Sequence, residues 1–192
     1  MTTKGSTMKA KLLGALASVV MGCAALVSLP SQAALAVGAQ APMFSTQSAL
    51  AGKVQRFDMA EALKRGPVVL YFFPKAFSQG CTIEAHAFAE ATPTFAASGA
   101  QVVGISHDDI ATMQRFSSEA CRDQFSVASD PDAKAIQAYD AGSAARPGTA
   151  SRISYVIAPD GKVIYAHEGS DPLEHVQQTL KAVQAWKARQ KS

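Results

Sequence analysis

The segment Pro74-Lys-Ala-Phe-Ser78-Gln-Gly-Cys81 places a proline, a hydroxyl and a thiol within one short stretch. It follows the apolar run Val68-Val-Leu-Tyr-Phe-Phe73 and opens an alanine-rich helical pattern, so Cys81 falls at a helix start. Unpaired backbone N–H groups and the positive end of the helix dipole bias a cysteine there toward thiolate. Function is expected to turn on Cys81 as a nucleophile. A buried, inert cysteine is the plain alternative, and the flanking Pro74 and Ser78 argue against it.

The elements that position this thiol belong to one exported domain. Residues 1–33 carry Lys4, Lys9 and Lys11, a nearly uncharged apolar run from Leu12 to Leu29, and Pro30-Ser-Gln-Ala33, the layout of a cleaved secretory signal peptide. Cleavage fits best after Ala33, with Ala34-Leu-Ala36 as a second site, and Met8 is an alternative start. An uncleaved membrane anchor, or lipidation at Cys23 within Val20-Met-Gly-Cys23, are the alternatives; each still exports the folded part, to the periplasm or beyond. The membrane is then met only through the targeting segment.

The chain has 18 basic and 15 acidic residues, and the three signal lysines account for the whole excess. The neutral remainder has no clustered basic face, which excludes a nucleic-acid partner. With Cys23 in the signal, Cys81 and Cys121 remain, enough for one staple or one redox couple in an oxidising compartment.

Residues 34–192 are expected to form a single domain without repeats. Residues 34–50 read as a leading segment over the surface, Val54–Asp58 as a strand, Met59–Lys64 as a short helix, and Val68–Phe73 as a central buried strand. A helix from Cys81 to about Ser98 buries Cys81, Phe88 and Phe95 and stops at Gly99. Gln101–Ser106 is the next strand. Asp108 and Asp109 suit the start of a helix that buries Ile110, Met113, Phe116 and Ala120 and carries Cys121 in its last turn. Phe125–Ala128 is a brief strand, and Asp130-Pro-Asp132 opens a helix reaching Tyr139. A loop from Asp140 to Ser151 leads to a hairpin of Ile153–Ile157 and Lys162–His167 around Pro159-Asp-Gly161. The closing helix is expected to bury Leu173, Val176, Leu180, Val183 and Trp186. The alternation predicts an α/β fold, a mixed central sheet with helices on both faces.

In three segments the chain resembles the peroxiredoxins, most closely the bacterioferritin comigratory protein or peroxiredoxin Q branch of these AhpC/TSA-like peroxidases. They are Gly66-Pro-Val-Val-Leu-Tyr-Phe-Phe-Pro-Lys75, Ser78-Gln-Gly-Cys-Thr-Ile-Glu84 and Arg152-Ile-Ser-Tyr-Val-Ile-Ala-Pro-Asp-Gly161. The likeness spans roughly residues 38–185 by the element pattern. It implies a thioredoxin-like fold without cofactor or metal. It also implies a peroxidatic Cys81 that reduces hydrogen peroxide or organic hydroperoxides through a sulfenic acid, and a thioredoxin-like or other thiol reductant, in a monomer or homodimer. Two departures stand out. Ser78 replaces the commoner threonine, and the usual resolving cysteine five residues after Cys81 is His86, which leaves Cys121 as the candidate resolving thiol or Cys81 as the sole redox cysteine.

Elementary chemistry says what the other residues must supply. A thiol of pKa near 8.5 is only about 3% ionised at neutral pH, so full ionisation gains at most ~30-fold, and a weaker nucleophile gives much of that back. Most of the rate must come from fixed donors aimed at the oxygen that departs as O–O breaks. Arg152 is the candidate permanent charge, the Ser78 hydroxyl and the backbone N–H of Cys81 are candidate donors, and Pro74 walls off water while offering no competing N–H. Glu84 either positions Arg152 or is solvated. His86 is assigned to packing, Arg146 to a loop that could gate the pocket, and His107-Asp108-Asp109 to capping rather than metal. The competing functions are a thiol:disulfide oxidoreductase, which lacks Cys-x-x-Cys because Ser78 stands in the first position, and a binding domain stapled by Cys81 and Cys121.

Overall fold

The computed structural model describes residues 34–190; the expected signal segment, with Cys23, lies outside them. Among these residues, seven strands form one sheet. In chain order the elements are β1 (Ser45–Leu50), β2 (Lys53–Asp58), α1 (Met59–Leu63), β3 (Val68–Phe72), α2 (Gln79–Ala97), β4 (Gln101–Ser106), α3 (Ile110–Glu119), β5 (Ser126–Ser129), α4 (Lys134–Ala138), β6 (Ile153–Ile157), β7 (Val163–Glu168) and α5 (Pro172–Arg189). The strand order is β2-β1-β5-β4-β3-β6-β7. Strands β3, β4 and β5 run parallel, and every other pairing is antiparallel. The mixed sheet expected from the sequence is therefore present.

Strand β3 lies between β4 and β6, and all five of its residues are buried. Buried on both faces, it reads as a continuous apolar run rather than an alternation. Val69, Tyr71 and, just past the strand, Phe73 face a layer made by α2, α3 and α5, while Val68, Leu70 and Phe72 face α1, α4 and Tyr139. Helix α2 buries Cys81, Phe88 and Phe95 as the seven-residue spacing predicts. Gly99 follows with φ of 80°, the left-handed turn that ends many helices. The parallel β3-α2-β4 unit thus delivers Cys81 at the C-terminal edge of a central strand, where open α/β sheets place their ligands.

Four local expectations need correction. The leading segment contains β1, whose Ser-Thr-Gln-Ser pattern hides a strand that pairs with both β2 and β5. Its hairpin turn, Ala51 at φ 49° and Gly52 at φ 70°, has the primed geometry, but alanine is a poor advertisement for it. Helix α4 begins at Lys134, because the Asp130 carboxylate accepts the Lys134 and Ile136 N–H groups and spends the intervening residues on a turn. Cys121 sits beyond the end of α3 rather than in its last turn. On α5, Leu173 is 46% exposed and Leu180 and Trp186 only half-buried, while His175 and Thr179 are fully buried beside Val176 and Val183. Two polar side chains point inward there because they find partners, described below.

Gly104 of β4 lies directly opposite Tyr71 of β3 in the sheet, and the Tyr71 side chain leans over it. A Cβ on Gly104 would lie 2.7–2.9 Å from the Tyr71 ring and hydroxyl. That ring is fixed, stacked on Phe88 at 4.4 Å and edge-on to Phe125 at 5.9 Å. Gly104→Ala is expected to lower stability by about 1–3 kcal/mol through overpacking, read as a lower urea midpoint with unchanged slope.

Candidate functional site

Between β3 and α2 the chain makes a loop whose shape is imposed from outside. Phe77 has φ of 61°, a conformation disfavoured for a bulky L-residue. Its ring packs edge-on to Phe116 of α3 at 5.1 Å, and the Arg115 guanidinium lies 5.3 Å from the ring centre. The Ala76 N–H donates to the Asp108 carboxylate at 2.8 Å, and the same carboxylate oxygen accepts the Ser106 hydroxyl at 2.8 Å. Asp108, expected to start a helix, instead anchors this loop; Asp109 caps α3 through the Thr112 N–H at 2.7 Å.

Ser78 is the N-cap of α2 with extended backbone, yet its side chain makes no cap bond. Its hydroxyl donates back to the Lys75 carbonyl at 3.0 Å, which tightens the turn. Cys81, the third residue of the helix, is buried. Arg152, just before β6, reaches its sulfur with Nη2 at 3.6 Å. Gly80 makes room for this approach, since a Cβ there would lie 3.1 Å from Nη2. Pro74 and Arg152 line one cavity of about 460 Å³ together with Ser143, Arg146 and Glu168, so the loop arginine overlooks the mouth.

Behind Arg152 the site is dry and polar. Nη1 of Arg152 pairs with Oε2 of Glu84, one turn along α2 and fully buried. Burial pushes the Glu84 carboxyl up to about 8, although the charge and hydrogen bond of Arg152 pull it down. His175 Nδ1 lies 4.0 Å from the other Glu84 oxygen and 2.8 Å from the Ser154 hydroxyl, and Nε2 lies 3.0 Å from the Gly169 carbonyl. Burial first, then neighbouring His167 and Arg152, lower the His175 ring to about 4, against the pull of the Gly169 bond. It is neutral at physiological pH.

The structure thus brings together Cys81 and Arg152, with Glu84 paired to the guanidinium rather than solvated. Pro74 lines a cavity with Arg152, Cys81 lies buried outside its lining, and Ser78 caps the same helix with its hydroxyl turned to Lys75. Cys121 is buried in the same core layer as Cys81, its thiol free and its pKa pushed far up by burial and, less, by Asp123. His86 is half-buried farther along α2, and His107 is exposed. The loop-anchoring role of Asp108, and Ser154 and His175 altogether, escaped sequence reasoning. The only hint for His175 was its place on the Leu173–Val176 side of an amphipathic helix, where a lone histidine carries no signature.

Comparison with known proteins sets this geometry in context. Residues 37–166 match the AhpC/TSA family. The chloroplastic peroxiredoxin Q of Oryza sativa subsp. japonica is 30% identical over 183 residues, covering 90% of this chain and 81% of the rice protein. That of Triticum aestivum is 34% identical over 122 residues, covering 63% of this chain and 56% of the wheat protein. Among solved structures, peroxidoxin BcpB from Mycobacterium tuberculosis superposes with a TM-score of 0.70 at 26% identity, covering 78% of this chain and 96% of its own.

A neutral buried histidine couples the fold to pH with a definite sign. Its pKa is lower folded than unfolded, so its contribution to stability is complete above about 6.5 and is lost as pH falls toward about 4. The stability gap between wild type and His175→Gln is expected to narrow across that window, measured by guanidinium unfolding at successive pH values.

Proposed function

Since the chain belongs to the AhpC/TSA family, within its peroxiredoxin Q-like branch, we propose that it is an exported thiol peroxidase in which Cys81 reduces hydrogen peroxide and organic hydroperoxides. The observation that supports this most directly is the Arg152 Nη2 to Cys81 sulfur contact at 3.6 Å, at a helix N-terminus and beside a cavity.

The chemistry follows from that contact. The Cys81 thiolate attacks the terminal oxygen of the hydroperoxide; the S–O bond forms as O–O breaks, sulfur is oxidised by two electrons, and the hydroperoxide proton passes to the departing oxygen. Sulfenate and alcohol, or water, result. Arg152 can bond both the sulfur and the peroxide oxygens, which a lysine would do with poorer geometry. The helix N-terminus adds backbone donors to the oxygen side, and Pro74 closes one wall without offering an N–H. For Ser78 to reach the same oxygens its hydroxyl must leave the Lys75 carbonyl, a single rotation about χ1 that the missing methyl of threonine leaves easy.

Resolution falls to Cys121 in this reading. As a buried thiol of high pKa it is a poor nucleophile where it stands. It becomes competent only when the loop held by Phe77 and Asp108 releases the first turn of α2. Both thiols are free in this structure, which gives no support to a permanent staple. Residues 1–33 direct export, to the periplasm or an equivalent compartment, so the reductant is an extracytosolic thiol donor of thioredoxin type.

Stopped-flow peroxide consumption tests the assignment. Cys81→Ser is expected to abolish it and Arg152→Ala to lower it about 10²–10³-fold, the usual worth of a donor to a developing oxyanion; unchanged rates in both variants reject the function. Cys121→Ser is expected to keep the first oxidation of Cys81 but lose the intramolecular disulfide, read by peptide mass mapping after one equivalent of peroxide. A disulfide between two chains instead would reject Cys121 as the resolving thiol.

A further inference from the structure

We propose that Glu84 serves this site as a neutral carboxylic acid, its proton turned toward His175, so that the single guanidinium of Arg152 is left to one anion, the Cys81 thiolate. The proposal rests on the peroxidatic role given to Cys81 above.

The two oxygens of Glu84 have different surroundings. Oε2 accepts from Arg152, a bond that a protonated acid keeps as long as the proton sits on the other oxygen. Oε1 is buried, has no hydrogen-bond partner among the described residues, and faces Nδ1 of His175 at 4.0 Å. The proton positions on the imidazole follow from its neighbours. The Gly169 carbonyl can only accept, so Nε2 must carry hydrogen, and in the neutral ring Nδ1 is bare and takes the Ser154 O–H. That nitrogen carries no hydrogen and its one lone pair is taken by Ser154, so it offers Oε1 no donor, and a carboxylate oxygen there would be a buried anion left unpaired, which a proton on Oε1 avoids.

Charge counting points the same way. Arg152 is the cation that touches both Cys81 and Glu84. Two anions on it would bury a net negative charge, which proteins avoid by neutralising one group. The other titratable groups around Glu84 bring no remedy. Tyr71, facing in from β3, is held uncharged by its burial, and His175 from α5 is neutral. His167 on β7 and Asp171 at the start of α5 stand on the far side of His175 and bear on its ring rather than on Glu84. The upward displacement of Glu84 to about 8 agrees with this arrangement.

In this scheme Glu84 and His175 are positioning residues that never touch peroxide. When Glu84 loses its proton to solvent, the carboxylate competes with thiolate and peroxide for Arg152. Each pH unit above its pKa removes the neutral acid about tenfold, so the oxidation of Cys81 should fall on the alkaline side.

Infrared difference spectroscopy of the full-length protein reads the proton directly. Wild type is expected to show a buried acid carbonyl band at neutral pH that vanishes with a midpoint near 8 and is missing in Glu84→Gln. In His175→Asn, whose amide can offer an N–H where the ring has none, the midpoint should move down by at least ~1 pH unit. The stopped-flow rate of Cys81 oxidation should drop at least ~fivefold between about pH 7.5 and about pH 9.5 in wild type, and the alkaline limb should be absent in Glu84→Gln. No acid band at neutral pH, or an alkaline limb that persists in Glu84→Gln, overturns the proposal. If His175→Asn does not fold, the comparison of wild type with Glu84→Gln decides alone. Failure of wild type to consume peroxide would refute the peroxidase reading, while the infrared titration would still judge the protonation of Glu84.

Discussion

One guanidinium serves two buried acids. Arg152 sits with 12% of its side chain exposed between the Cys81 sulfur and the Glu84 carboxyl, and in so dry a place electrostatic interactions are several times stronger than in water. Strength of that kind works in both directions. A well-placed charge holds a thiolate and polarises a peroxide, while an unmatched one would destabilise the fold. The surroundings of the site are arranged around this balance.

The fold meets the requirement by converging three separate segments. Helix α2 brings Cys81 and Glu84 on one face, one turn apart; the start of β6 brings Arg152; helix α5 packs across α2 and brings His175. The antiparallel register of β6 on β3, with Phe72 opposite Ile153, places Arg152 beside the end of β3, where the Cys81 loop begins. Ser154, two residues after Arg152, then turns inward to His175. A shift of one residue in that register would point Arg152 and Ser154 to the opposite face of the sheet. Register is therefore a functional quantity here as much as a structural one.

Rigidity is built into the same loop, and the proposed cycle requires its release. Phe77 holds a disfavoured backbone conformation because its ring and the Asp108 bond to Ala76 compensate the cost. Those contacts come from α3 and the loop before it, and Cys121 lies just past the end of the same helix. In the proposed cycle, freeing Cys81 from its helix start loosens these contacts with α3; attack on peroxide then uses the closed loop and disulfide formation the open one.

Local chemistry made part of this legible from sequence. The run Val68–Phe73 could only be a strand buried on both faces, and the spacing of Cys81, Phe88 and Phe95 with Gly99 after them dictated helix and stop. Ser78 through Glu84 and the stretch beginning at Arg152 carried the family resemblance. The polar strand β1 was hidden because its stability comes from ladders to β2 and β5 rather than from its own side chains. His175 was hidden because burial of a polar residue depends on partners, here Ser154 and the Gly169 carbonyl, that lie elsewhere in the chain. Whether Glu84 meets solvent or an arginine, which aspartate anchors the loop, and where Cys121 stands are likewise properties of contacts between distant segments. Pattern and propensity act over a few residues, whereas charge, desolvation and hydrogen-bond pairing are settled only once the layers have closed.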